Sequence, residues 1–194
     1  MDIRLYGLGA IGSNLLVQLA KQFPDANFYG IDFDKIEERN IRTQAYFLEH
    51  VGLYKADAMR VILGRYLRKP KYTAVKTKVE GSVYMGVHGP EGLDAHLGID
   101  CFDNTKSRKL FQNSGHVFHV GFSPEYSAEG IWHNKDYEVA NDVDPTKNDI
   151  CSMTDAVPFI HFVVNLAALN IARWIQTKEK RDFLVTGKHK VKWL

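Results

Sequence analysis

The feature that most constrains this chain is an apolar run that stops at three glycines. Ile3-Arg4-Leu5-Tyr6 leads into Gly7-Leu8-Gly9-Ala10-Ile11-Gly12, and behind it Ile11, Leu15 and Leu19 recur at helical spacing through Gln22. Placed between a strand and a helix, a Gly-x-Gly-x-x-Gly turn lets the backbone approach a phosphate, whose charge the helix N-terminus stabilises. Asp32 stands about 20 residues past the third glycine, at the end of a second strand pattern, Phe28 to Ile31. A carboxylate there can accept hydrogen bonds from ribose hydroxyls. The pattern implies nucleotide binding, and other motifs must decide which nucleotide.

A chain of 194 residues suffices for one well-buried core, so a single domain over 1–194 is expected. With 45% hydrophobic and 25% charged residues it has globular usage. A net charge of +2 supplies no nucleic-acid face, and the basic run Lys188 to Lys192 reads as a solvated edge strand. The apolar stretch Ala156 to Ile175 is interrupted by His161, Asn165, Asn170 and Arg173, which suits a buried helix better than a membrane span. Cys101 and Cys151 form no Cys-x-x-Cys pair, which excludes a four-cysteine zinc site and suits a reducing compartment. No basic leader precedes Ile3, so a cytoplasmic protein is expected.

Strand and helix patterns alternate. A helix is predicted over Lys55 to Leu67, with Ala56, Met59, Leu63 and Tyr66 on one stripe, and a strand over Thr73 to Val79. Beyond a glycine-rich segment, Gly81 to Gly92, come a strand (Gly98 to Phe102), a helix (Thr105 to Gln112) and strands at His116 to Phe122 and Ala128 to Trp132. A polar stretch, Asn134 to Asp149, precedes a long helix, Thr154 to Gln176, and two short strands, Phe183 to Thr186 and Lys190 to Leu194. This order implies an α/β, Rossmann-like fold: a mostly parallel sheet with helices on both faces, extended by C-terminal strands.

Three further motifs narrow the chemistry. Asp34 and then Asn40-Ile41-Arg42-Thr43-Gln44 follow Asp32; Lys55 opens a helix in Gly52-Leu53-Tyr54-Lys55-Ala56; Asp100-Cys101-Phe102-Asp103-Asn104, with Arg108 soon after, ends a later strand. Ligands of parallel sheets bind at the carboxyl ends of strands, so Asp32, Asp34 and Asp103 should meet at one crevice. A cation with a strand-end carboxylate suits a triphosphate and its magnesium better than a dinucleotide.

Together these residues resemble the ThiF/MoeB and ubiquitin-activating-enzyme superfamily of adenylyltransferases, from Ile3 to about Ile175. The resemblance rests on Gly7, Gly9 and Gly12, on Asp32, Asp34 and Asn40, on Lys55, and on Asp103, Asn104 and Arg108, in the family's order. It implies that Asp32 holds ribose, that Lys55 and the glycine turn hold phosphates, that Asp34 and Asn40 belong to the nucleotide site, and that Asp103 positions Mg²⁺. It further implies that the C-terminal carboxylate of a ubiquitin-like or sulfur-carrier protein or peptide, with a Gly-Gly-type tail, attacks the α-phosphate of ATP, and that the enzyme is a homodimer. In the sulfur-transfer branch a cysteine at the place of Cys151 attacks the acyl-adenylate, and a thiol near a helix N-terminus carries more thiolate; a packed, inert thiol is the plainer reading of Cys151. Cys101, inside a strand pattern, reads as core.

The pattern departs from the family at three places, one of them the missing zinc cysteines. Thr43 stands where relatives carry a phosphate-binding arginine, with Arg42 one residue earlier, and a one-residue shift turns a side chain by about 100° on a helix. The sequence also begins at the first strand, without the arginine-bearing helical segment of relatives. Two other readings therefore stand beside the enzyme: a nucleotide-binding scaffold or heterodimer half, and, third, an NAD-dependent oxidoreductase, which leaves Asp34, Asn40, Lys55 and Asp103 unexplained. His161, Asn165, Ala168 and Ala172 form a small and polar stripe suited to helix packing or dimerisation. His116 and His119 read as structural, and Tyr126, Trp132 and Tyr137 are candidates to line a peptide groove or to pack at an edge.

Overall fold

The computed structural model describes residues 1–79, 96–111, 117–122, 128–132, 154–186 and 190–194. β1 (Asp2–Tyr6), α1 (Ala10–Gln22) and β2 (Asn27–Ile31) form the first unit, and two short 3-10 turns, Glu38–Asn40 and Leu48–His50, lead to α2 (Lys55–Tyr66) and β3 (Tyr72–Val75). Then come β4 (His96–Asp100), α3 (Thr105–Lys109), β5 (Val117–Phe122), β6 (Ala128–Trp132), α4 (Ala156–Thr177), β7 (Phe183–Val185) and β8 (Val191–Trp193). One eight-stranded sheet runs in the order β3-β2-β1-β4-β5-β6-β7-β8. The pairings from β3 to β5 are parallel and those from β5 to β8 antiparallel. The expected Rossmann-like α/β sheet, extended by C-terminal strands, is present.

Side chains alternate across each strand, and that alternation builds two cores. Ile3, Leu5, Phe28, Leu97, Ile99, Phe118 and Val120 point to one face, where α1, α2 and α4 cover them. Tyr6, Ile31 and Val117 point to the other, where Phe102, Leu110 and Phe111 around α3 complete a smaller cluster. Helices thus lie on both faces, unequally among the described residues. β3 ends at Val75 rather than Val79, and α3 at Lys109. Tyr66 is half exposed instead of lying in the buried stripe of α2, which is carried by Ala56, Met59, Ile62 and Leu63.

α4 is long and apolar enough to cross a membrane by length and composition, yet Phe159, Ile160, Val163, Ala167 and Ile171 are buried in the main core. Its predicted small and polar stripe divides. Ala168 and Ala172 are buried within the chain, while His161 and Asn165 face outward and Asn165 accepts a bond from Gln18. Of the two expected uses of the stripe, helix packing and dimerisation, the small residues serve packing within this chain. Trp132, expected as a possible groove residue, is core as well: it packs between Phe118 and Trp174, and its indole N–H points to Asn170 at 3.4 Å. Tyr126, Tyr137 and His116 lie outside the described residues. The basic C-terminal run ends in β8, the edge strand, with Lys192 exposed as expected.

Candidate functional site

The glycine turn is shaped by its neighbours before any ligand is considered. Gly7 has φ +84°, a backbone state that L side chains rarely adopt, and a Cβ there would sit 3.1 Å from the Cys101 carbonyl oxygen. A Cβ on Gly12 would run into the Gly7 carbonyl. Gly9 differs: nothing lies within 4 Å of a Cβ built there, although it is the N-cap of α1 and offers no capping side chain. The fold requires two of the glycines, and the third faces open space beside helix N–H groups that no side chain caps.

Both backbone groups of Leu8, between the first two glycines, are held by side chains. Its N–H donates to Asp32 Oδ2 at 2.7 Å, and its carbonyl accepts the Tyr46 hydroxyl at 2.8 Å. Asp32 Oδ1 accepts the Asp34 N–H at 2.8 Å. Ser13 Oγ, which donates to Gly9 O, also accepts the Ala45 N–H, tying the segment after the first 3-10 turn to α1. Asp32 is only 7% exposed, and burial raises its pKa against the pull of Lys55 and the two backbone bonds. Its first role is to set the turn. Sequence reading missed Tyr46 and Ser13, which carry no motif signature.

The more accessible carboxylate is Asp34. Its side chain is half exposed and pairs at 3.0 Å with Nζ of Lys55, whose own N–H bonds the Asp34 carbonyl. Lys55, nearly buried at the start of α2, thus reaches the carboxyl end of β2 beside Asp32 and Asp34, so the structure gathers these three residues. Asn40 serves a local purpose: its Oδ1 accepts the Glu37 N–H and closes the first 3-10 turn.

Across β1, the end of β4 carries the second acidic element. Cys101 N–H donates to Tyr6 O, which places this turn against the glycine turn. Asp103 is exposed, Asn104 caps α3 by accepting the Ser107 N–H, and Arg108, 8% exposed, donates from Nε to Phe102 O. Burial pushes the Cys101 thiol well above its usual pKa, in keeping with a packed and inert group. No group of three or more His, Cys, Asp or Glu gathers to hold a metal among the described residues. Mg²⁺ on a nucleotide needs only one or two protein carboxylates beside phosphate oxygens, and the exposed Asp103 fits that demand.

The arginine substitution has a structural correlate. Thr43 is 4% exposed and its carbonyl accepts the Asn14 amide at 3.0 Å, so position 43 is part of the packing. Arg42 is exposed and directed to the start of α4, where Nη2 lies 3.4 Å from Thr154 O. Cys151, three residues earlier, lies outside the described residues. A cleft of about 490 Å³ opens between α1, α2, α4 and the 41–47 segment, lined by residues including Gln18, Gln44 and His161 rather than by the glycines.

No family model and no curated sequence matches the chain. Solved structures do. MccB of E. coli with MccA superposes over 100% of this chain at TM-score 0.74 and 13% identity, and PaaA over 100% at 0.71 and 14%. MccB solved with ATP gives a TM-score of 0.71 at 15% identity. The chain spans 63% of the length of each of these structures. The chain therefore shares the fold of MccB and PaaA.

Proposed function

We propose that the chain is an ATP-dependent adenylyltransferase that activates the C-terminal carboxylate of a ubiquitin-like or sulfur-carrier protein or of a peptide. The observation that carries this reading is the open space at Gly9, beside an uncapped helix N-terminus and between two acidic strand ends, one with Lys55 and one with Asp103. Helix N–H groups and Lys55 would take the phosphates, and Asp34, with its half-exposed carboxylate, would face the ribose more readily than Asp32. Bound Mg²⁺ would supply charge neutralisation on the phosphate oxygens, held on the protein side by Asp103.

In the proposed step, a carboxylate oxygen of the substrate forms a bond to the α-phosphorus as the bond to the β-phosphate oxygen breaks. Acyl-adenylate and pyrophosphate result. Two anions must be brought together, so the chain's contribution is cationic stabilisation and alignment. MccB solved with ATP and with MccA supports a nucleotide and a peptide as the substrate classes. We further propose a two-fold dimer, by the resemblance, and Cys151 as the thiol that accepts the activated acyl group.

A second reading is a nucleotide-binding scaffold. It is favoured by the buried Thr43 and by the Arg42 side chain being directed to Thr154, because neither position then offers an arginine in the place where relatives carry one. ATP–pyrophosphate exchange with candidate carrier proteins and peptides separates the two. Exchange that falls a hundredfold or more in Lys55→Ala and in Asp103→Ala, about 3 kcal/mol of transition-state stabilisation, supports the enzyme. Cys151→Ala should leave exchange intact and abolish a covalent carrier adduct. ATP binding without exchange on any acceptor supports the scaffold instead.

A further inference from the structure

A polar cluster lies on the sheet face of the smaller core, directly below the turn that carries Asp103. Asp100, the last residue of β4, and His119, its register neighbour on β5, are both fully buried. Asp100 Oδ2 lies 3.1 Å from His119 Nδ1, and Asp100 Oδ1 accepts the Phe102 N–H at 3.0 Å. Glu129 of β6 approaches His119 from the other side, with Oε1 3.5 Å from Nε2. Arg108 of α3 binds Phe102 O, and a Cβ on Gly121 would sit 2.6 Å from His119 Nε2 and 3.5 Å from Arg108 Nη2. Gly121 therefore makes room for both cationic heads. Phe102 is gripped by its N–H and its carbonyl, and the grip on its N–H leads through Asp100 to His119.

We propose that His119 is a positioning residue: acting through Asp100, its imidazolium fixes the Cys101–Asn104 turn and so the placement of Asp103 toward the nucleotide. A carboxylate only accepts hydrogen bonds, and a neutral imidazole has one N–H. With carboxylates at both ring nitrogens, only the doubly protonated ring presents an N–H to each. Loss of the Nε2 proton turns a lone pair toward Glu129 and leaves Asp100 facing a weaker donor, which loosens the grip on Phe102 N–H. The groups facing His119 from neighbouring elements are Asp100 on β4, Glu129 on β6 and Arg108 on α3, while Tyr6 of β1 is the register neighbour of Asp100. Burial opposes the charge on His119, but Asp100 and Glu129 outweigh it and, against Arg108, raise the pKa above the ordinary 6.5. The link to nucleotide rests on the adenylyltransferase reading; the link to the turn does not.

The full chain is titrated by NMR, following the His119 ring and the amides of Phe102, Asp103 and Asn104, and Mg·ATP affinity is measured by calorimetry over the same range. The amides should move with the His119 midpoint, and Glu129→Gln, at a partly exposed position, should lower that midpoint. Mg·ATP affinity should weaken by about tenfold between about pH 6 and pH 9 in the wild type and stay flat in His119→Gln. Amides that ignore the His119 titration, or wild-type affinity as flat as the variant's, overturn the proposal. A chain that binds no Mg·ATP at any pH sinks the adenylyltransferase reading, and the amide titration then decides the positioning role by itself.

Discussion

The turn after β1 and the turn after β4 are held by the same device. In each, one residue has its N–H taken by a strand-end carboxylate and its carbonyl by a side-chain donor. For Leu8 these are Asp32 and Tyr46; for Phe102 they are Asp100 and Arg108. The difference lies in the carboxylate's other oxygen. Asp32 gives it to a backbone N–H, at Asp34, whereas Asp100 gives it to the titratable ring of His119. The first turn is thus held without a histidine, and the second is tied to one. Since the two turns pack on one another through Gly7, Gly12 and Cys101, what disturbs one is felt by the other.

The packed contact between the turns should break most severely. Gly12→Ala drives a methyl into the Gly7 carbonyl and should cost about 3 kcal/mol in urea unfolding, as overpacking of a tight site does. Gly9→Ala meets no neighbour, so its stability should stay within about 0.5 kcal/mol of wild type while ATP affinity falls. A destabilised Gly9→Ala with normal ATP affinity would show that the open space is not the phosphate site.

Next in size is the bonded contact. Asp32→Asn keeps the shape but can accept with only one of its two terminal atoms, so either the Leu8 or the Asp34 N–H meets an amide donor. The expected loss is about 1–3 kcal/mol of stability, that of a buried donor left unpaired. Equal stability of Asp32→Asn and wild type would place the setting of the glycine turn elsewhere.

The pH dependence is the finest test. Asp32 and His119 both have folded pKa values raised above their ordinary values of 3.8 and 6.5. Each therefore contributes stability that is whole below its ordinary value and is lost as pH rises through its folded value. The windows differ: Asp32 acts from acid pH upward and His119 from about neutrality upward. Urea midpoints across pH should lose the acid-side decline in Asp32→Asn and the decline above neutrality in His119→Gln. A single decline removed by neither substitution would sever the comparison.

Periodicity and local motifs determined a great deal about this protein. The strand–glycine–helix unit, the order of elements, the burial of α4 and the placing of Asp32, Asp34 and Asp103 near the carboxyl ends of strands were legible because each depends on residues near in sequence or on strand ends that a parallel sheet aligns, whereas the pairing of Lys55 with Asp34 was not. Roles that depend on which atom meets which were decided only by tertiary structure. Asp32, expected to hold ribose, is engaged by two N–H groups, one of them 24 residues away, and Asn40 is taken by its own turn. Ala168 and Ala172 on α4 suited helix packing or a dimer face equally well by sequence, and their burial within the chain favours helix packing. His119 read as a structural histidine because nothing local reveals that register sets it beside Asp100 and near Glu129. Helical and strand periods are properties of the backbone and are written in one stretch of chain, whereas the partner of a buried polar group is chosen by strand pairing across the sheet.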